Sequence, residues 1–316
     1  MRTKMKIGLI GTFIRDRIFP LNGHMVESIG GLYHSLANAA FLSQGDFEII
    51  PLARVGKDFY PELIEALSLM QHINLNYILQ DDQPNTRVDL IYKTQTTRQE
   101  ITTAPMKPLT MEEVSVLRDC DGIIINMITG EDVSLEAVQW LSRHSRAMLY
   151  LDFHTLALGR NEHGRRFYRR PPTWELWLKS VTMVQMNEEE ARLLAGYSQE
   201  EENPDYEQFI RQVLSMGLRG VHVTLGDKGA ISGFRHSNGE YQVQRTATIH
   251  VPKLRDIIGC GDAFGAAFVL HYFKHRDFFG ATQFATKIAT LNTVFLGSIN
   301  RDKFEEHIKP YANFEN

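Results

Sequence analysis

The sequence predicts a three-layer α/β fold built on a mainly parallel central sheet. Two observations carry this expectation. Short runs of apolar residues with little polar alternation recur along the chain, and stretches of helical periodicity lie between them on short links. A strand that is apolar on both faces is covered on both faces, as in a parallel sheet, and strand–helix alternation supplies the covering layers. In chain order, 6–14 (KIGLIGTFI) reads as a buried strand and 31–44 (GLYHSLANAAFLSQ) as a helix of small and apolar residues. A strand over 48–55 and a helix over 61–70 follow. The helix over 110–118 starts at a capping box, Thr110 with Glu113 three residues on. Strands over 122–126, 147–153, 181–186 and 221–225 alternate with helices over 135–144, 188–194 and 206–216. Residues 230–249 read as a β meander turning at Asn238-Gly239, and two long helices, 262–275 and 280–296, close the chain. Two segments break the rhythm. Residues 13–32 carry charges, Pro20 and Gly23, and 84–104 are Thr-rich and alternate in polarity, as antiparallel strands outside the main sheet would.

Composition narrows the function. The chain has 316 residues, 43% hydrophobic and 23% charged, which excludes disordered, collagenous and disulfide-scaffold classes. At about 150 residues per domain the length suggests two domains, but one large α/β unit absorbs it equally well. A net charge of −4 gives no basic excess for nucleic acid. Cys120 and Cys260 are too few for a disulfide framework or a cysteine-based zinc site. The apolar run 7–14 behind Arg2, Lys4 and Lys6 is short, has no small-residue cleavage site and is followed by Arg15-Asp16-Arg17, so it is not read as a signal peptide. No segment approaches the ~20 apolar residues of a membrane span. A soluble, cytoplasmic protein is expected.

The string Asp256-Ile257-Ile258-Gly259-Cys260-Gly261-Asp262-Ala263-Phe264-Gly265 carries the chemistry. Glycines where a loop turns into an apolar helix let backbone N–H groups converge on an anion, with the helix dipole behind them. A carboxylate in that turn, Asp262, makes sense there as a base, which phosphoryl transfer to an alcohol requires. An Asp in a first helical turn is also a common stabilising choice, so the string alone leaves both readings open. A dinucleotide fingerprint would open the first βα turn, and no Gly-x-x-x-x-Gly-Lys-Ser/Thr occurs anywhere.

The string resembles the Asp-Thr-x-Gly-Ala-Gly-Asp signature of the ribokinase-like (PfkB) carbohydrate kinases, and three further stretches match in that family's order. Gly30-Gly31 with Asn38 resembles the Gly-Gly…Asn substrate motif. Asn187 to Glu190 resembles Asn-x-x-Glu, although Asn followed by an acid three residues on also satisfies a helix start. Thr224, Gly226, Lys228 and Gly229 lie in a Thr-x-Gly-x-x-Gly strand-turn. The resemblance implies a single ribokinase-like domain over 1–316, with a small β lid from about 13–32 and 84–104. It implies ATP-dependent phosphoryl transfer to a hydroxymethyl group of a sugar, with a nucleoside as the alternative acceptor. It makes Asp262 the base and the N–H groups of Gly259, Cys260 and Gly261 the anion hole. Asp16, Gly30, Gly31 and Asn38 would bind the substrate; Asn187, Thr224, Gly226, Lys228, Gly229 and Asn292 the nucleotide; Glu190 would serve Mg²⁺ through water. A homodimer is compatible with it, and so is a monovalent cation near Asp256, although Ile257 lacks the hydroxyl of the usual Thr. Cys260 replaces the usual Ala, the 30–38 stretch is longer than is common, and Asp152-Phe153-His154 stands where Asp-x-Asn is frequent. A non-catalytic sugar- or nucleotide-binding protein on the same scaffold is the reading from another class. The five arginines of 160–170 are read as a solvated hairpin turning at His163-Gly164, against a phosphate-binding insert. His271 and His275 are read as structural, as are Trp174 and Trp177.

Overall fold

The computed structural model describes residues 4–94, 98–198 and 200–311. Its strands are β1 (Met5–Ile10), β2 (Phe13–Phe19), β3 (Val26–Gly31), β4 (Phe47–Gly56), β5 (Ile78–Asp81), β6 (Arg87–Tyr92), β7 (Arg98–Thr103) and β8 (Gly122–Asn126). They continue with β9 (Met148–Asp152), β10 (Leu158–Arg160), β11 (Arg166–Tyr168), β12 (Met183–Asn187), β13 (Gly220–Thr224), β14 (Ala230–Arg235) and β15 (Tyr241–Thr246). The central sheet has nine strands in the order β15-β14-β13-β12-β9-β8-β1-β4-β5. From β13 to β5 every pairing is parallel, and the meander β14–β15 adds an antiparallel edge. The all-apolar strands are buried on both faces, as expected: every residue of β8 is buried, between two separate cores. Helices Leu32–Ser43, Cys260–His275 and Phe278–Leu291 cover one face. Helices Leu135–His144, Trp174–Lys179 and Tyr206–Ser215 cover the other, with Trp174 and Trp177 in that core.

The predicted first strand divides in two. β1 ends at Ile10, and Gly11-Thr12 hands the chain to β2 in a second sheet, where the Thr12 carbonyl accepts Leu32 N–H at 3.0 Å. That second sheet has the order β3-β2-β6-β7 and contains the two segments that break the sequence rhythm. Its outer pairs are antiparallel, but β2 and β6 run parallel. Residues 95–97 of the second segment lie outside the described residues. The helix expected over 110–118 is a single capped turn, Met111–Val114, tightened into a 3₁₀ turn. The last helix stops at Leu291, where a 3₁₀ turn starts and the Thr293 carbonyl turns to accept the N–H groups of Arg255 and Asp256.

This topology positions the site. β1 has β4 on one side and β8 on the other, so successive connections leave it in opposite directions, and the crevice of an open α/β sheet forms at the carboxyl ends of such strands. Asn126, Asp152, Asn187 and Thr224 are the last residues of β8, β9, β12 and β13. No helix of the described residues is long and apolar enough to cross a membrane.

Candidate active site

The glycine turn is held from three sides. Gly259 takes a left-handed backbone (φ 75°) and caps helix Cys260–His275. The first N–H groups of that helix have no partner one turn back, and its dipole places partial positive charge there. The Gly261 carbonyl accepts Gln185 Nε2 at 2.9 Å, and Gln185 Oε1 in turn accepts the Tyr150 hydroxyl at 2.9 Å. Asn292 Nδ2 donates to the Ile258 carbonyl at 3.1 Å. Asp256 accepts Ile258 N–H on one oxygen at 3.0 Å and Gly297 N–H on the other at 2.9 Å.

Asp262 stands in the first turn of the helix. Its Oδ1 accepts Ser35 Oγ at 2.8 Å and Asn126 Nδ2 at 3.1 Å, while Oδ2 has no hydrogen-bond partner among the described residues. The carboxylate lines a cavity of about 280 Å³ between the two sheets, and Asp16, Gly31, His34, Arg166 and Gln185 share the wall. Asp16 is buried, and a Cβ on Gly30 would stand 1.9 Å from its Oδ2, so only glycine leaves the carboxylate its place. At Gly31, φ is 63° and a Cβ would lie 2.3 Å from the Thr12 carbonyl oxygen. The aliphatic side chains of Ile14, Val88, Leu90, Ile128 and Ile258 form an apolar part of the wall.

A second, larger cleft of about 860 Å³ opens on the other side of the turn. Asn187, Thr224 and Gly261 border both cavities. Gly226, Gly229, Cys260 and Thr290 line the cleft with an apolar group that includes Ile249, Val251, Leu254 and Phe264. Glu190, 2% exposed, lines the smaller cavity. It forms a full capping box with Asn187: Asn187 N–H and Nδ2 donate to it at 2.9 and 2.6 Å, and Asn187 Oδ1 accepts Glu190 N–H at 2.9 Å. His154 Nδ1 stands 3.6 Å from Glu190 Oε1. Burial opposes charge on His154, but Glu190 first and Asp152 second outweigh it and raise its pKa to about 9. Its half-exposed ring lets solvent screen part of that gain. Burial pushes Asp152 up to about 8, with His154 acting in the opposite direction.

A family model described as pfkB family carbohydrate kinase matches residues 39–302. The chain belongs to the PfkB family of carbohydrate kinases. Solved structures share its fold at low identity. Ribokinase from Giardia lamblia superposes with a TM-score of 0.76 at 18% identity, covering 96% of this chain and 98% of that one. A pyrophosphate-dependent kinase of the ribokinase family, complexed with a pyrophosphate analog and myo-inositol, gives 0.75 at 18%, covering 95% and 99%. Adenosine kinase from Schistosoma mansoni, in complex with 2-fluoroadenosine, gives 0.73 at 13%, covering 94% and 97%. No curated protein sequence matches the chain.

Three of the residues expected at the site of this PfkB-family chain lie elsewhere. Asn38 is buried inside its helix with Nδ2 on the His34 carbonyl at 2.9 Å, one turn beyond the cavity; His34 and Ser35 are the residues of that helix at the site. Asn292 sits behind the glycine turn and braces it instead of lining the larger cleft, which Thr286, Ala289, Thr290 and Thr293 border. Lys228 is exposed and outside the cleft, because the 3₁₀ turn Gly226–Lys228 presents Gly226 and Asp227 to it. The Cys260 N–H, expected in the anion hole, donates to the Ile257 carbonyl at 3.4 Å.

The Arg-rich segment also departs from expectation. It is the predicted hairpin, β10 with β11, and Arg160 pairs with Glu131 at 3.1 Å near solvent. Arg166, however, is only 9% exposed at its side chain and reaches the smaller cavity. Its guanidinium donates to Thr102 Oγ1 (2.7 Å), Glu100 Oε2 (3.1 Å) and the Ile128 carbonyl (3.1 Å). Ser35, Asn126, Gln185 and Arg166 had no motif of their own. The one available signal was a polar residue closing an apolar strand at its carboxyl end, as Asn126 closes GIIIN. The His271 and His275 rings are tilted with centres 4.2 Å apart, and His271 stacks on Phe284 at 4.6 Å, as structural residues do.

Proposed function

We propose that the protein is an ATP-dependent kinase that phosphorylates a hydroxymethyl group of a neutral sugar. The observation that carries this reading is Asp262 Oδ2, without a partner among the described residues, at the helix start where the small cavity meets the large cleft. Asp262 takes the proton of the acceptor hydroxyl. Ser35 and Asn126 fix the other carboxylate oxygen, so the proton-accepting oxygen keeps one orientation. The N–H groups of Gly259 and Gly261 and the helix dipole offset the charge that develops on the transferring phosphoryl. Asn187, Thr224, Gly226 and Gly229 hold the nucleotide side.

The donor cleft favours ATP over pyrophosphate, since Ile249, Val251, Leu254 and Phe264 offer an apolar surface that suits a base and gives pyrophosphate nothing to contact. Among the described residues no cluster of three or more His, Cys, Asp or Glu could hold a metal ion. Glu190 alone fits Mg²⁺ that keeps its waters and the donor phosphates as ligands, because both its oxygens already accept from Asn187. When bound, Mg²⁺ neutralises donor phosphate charge.

The acceptor is neutral on this reading. Among the described residues Arg166 is the sole Arg or Lys lining the small cavity and already pairs with Glu100, His154 stands against Glu190, and Asp262 lines it with no cation of its own there, beside Asp16. A phosphorylated sugar would meet uncompensated like charge. Asp16 and Arg166 read acceptor hydroxyls, and the second sheet excludes water. The aliphatic wall of Ile14, Val88, Leu90, Ile128 and Ile258 favours one alternative, a nucleoside whose base packs there. The test is turnover with ATP or pyrophosphate against sugars, phosphosugars and nucleosides. A neutral sugar with ATP is the expected pair. A nucleoside alone establishes the alternative, and binding without turnover would move the protein to the non-catalytic class.

A further inference from the structure

The loop that braces the glycine turn is built around a positive charge supplied by the chain itself. Residues 256–258 and 293–298 run side by side behind the turn. Arg255 and Asp256 N–H donate to the Thr293 carbonyl at 2.8 and 3.2 Å, and Gly297 N–H donates back to Asp256 at 2.9 Å. The Lys303 ammonium closes this arrangement. Nζ donates to the Leu296 carbonyl at 2.6 Å and to the Ser298 carbonyl at 2.7 Å, and it lies 5.3 Å from the centre of the Phe295 ring. Burial lowers the Lys303 pKa and the Asp256 carboxylate acts against that lowering, so the two groups sense each other across the loop. Ser298 carries the connection on to the acceptor side: its hydroxyl lies 3.1 Å from His34 Nδ1 and 3.4 Å from the Ile29 carbonyl, one residue before Gly30.

Converging carbonyl oxygens with a carboxylate nearby are the kind of surroundings a bound monovalent ion takes, and an ammonium is a compact point charge with three donors that also suits the Phe295 face. The family resemblance leaves room for such an ion beside Asp256, but the residues present do not fit one. Both Asp256 oxygens accept backbone N–H groups, the Leu296 and Ser298 carbonyls already accept from Lys303, and Ile257 offers no hydroxyl.

We infer that Lys303 takes the place of a monovalent cation in this chain, as a positioning residue that holds the 293–298 loop and, through Asp256, the glycine turn. The protein therefore needs no potassium. Lys303 touches neither cavity, so its effect passes entirely through the position of the turn.

The experiment compares the protein with Lys303→Met in buffers whose only added monovalent cation is K⁺, Na⁺ or choline, with Mg²⁺ present in the turnover arm. Thermal midpoint is read first, because it does not depend on the kinase reading. The wild-type midpoint is expected to be the same in K⁺ and choline. That of Lys303→Met is expected to fall, and to recover in K⁺ more than in choline as the ion enters the carbonyl set that the ammonium leaves. In the turnover arm, which rests on the kinase reading, wild-type rate is expected to be equal within about twofold across the three cations, while Lys303→Met loses tenfold or more in choline and regains part of it in K⁺. A wild-type midpoint or rate that rises strongly and selectively with K⁺ overturns the inference, and this holds even if the variant fails to fold. So does a Lys303→Met protein that matches wild type in choline. A midpoint pattern as expected, with no turnover on any acceptor, would overturn the kinase reading and leave this inference standing.

Discussion

Replacing Gly30 by alanine should damage acceptor binding through Asp16 alone. The new methyl carbon would stand 1.9 Å from Asp16 Oδ2 and 2.7 Å from its Cγ, whereas ordinary contact begins at 3.4 Å, so the carboxylate must retreat by about 1.5 Å. The backbone at Gly30 is not left-handed, so the substitution adds no torsional strain. A displacement of that size breaks a hydrogen bond to an acceptor hydroxyl. Such a bond to a charged group contributes about 1.5–3 kcal/mol, which corresponds to a rise of roughly 10- to 150-fold in acceptor KM. The assay is steady-state turnover at saturating donor for Gly30→Ala, Asp16→Ala and the double variant. Each single change should raise acceptor KM, and the double variant should be no worse than Asp16→Ala, since the methyl then has no carboxylate to displace. An unchanged KM in Gly30→Ala, or multiplying effects in the double variant, would refute both the role of Asp16 and the reason for glycine beside it.

Ser35→Ala and Asn126→Ala each remove one donor from Asp262 Oδ1 and should lower kcat about tenfold with little change in acceptor KM; a KM effect without a kcat effect would show that they act on binding. Arg166→Met should raise acceptor KM far more than donor KM, and because it also removes the ion pair with Glu100, the Glu100→Gln/Arg166→Met pair serves as the folded control. The fourth prediction concerns pH. Asp152 has its folded pKa raised from 3.8 to about 8, so the unfolded chain gives up the proton first as pH rises and the native state loses stability through that interval. Without divalent cations, Asp152→Asn and wild type should have similar thermal midpoints near pH 4, with the variant gaining steadily up to pH 8. A gap that stays constant from pH 4 to 8 would contradict the shift.

What the sequence revealed follows from how local each signal is. The buried strands were legible because a parallel sheet leaves no polar alternation, and β8 matches its predicted bounds, 122–126, at both ends. The glycine turn was legible because turn, cap and carboxylate occupy one decapeptide. The residues that orient the carboxylate were not, because Ser35 and Asn126 reach Asp262 only when a helix 227 residues earlier and a strand 136 residues earlier meet it. Arg166 shows the same limit from the other side. Five arginines in a hairpin look solvated, and only the pairing of that hairpin with β7 buries one of them. Asn38 lies one turn beyond the cavity and Asn292 faces the glycine turn while Thr290 and Thr293 face the cleft, since the sequence says which helix approaches the site but not which face meets it.

Asp262→Asn tests the central claim most directly. Both native hydrogen bonds fall on Oδ1, so the asparagine carbonyl can accept them unchanged while its amide replaces the oxygen that would take the proton. Turnover of the best ATP–acceptor pair should fall by about 10²-fold or more, with the thermal midpoint and acceptor binding retained. A folded Asp262→Asn protein that turns over at a rate close to wild type would remove the base from the mechanism.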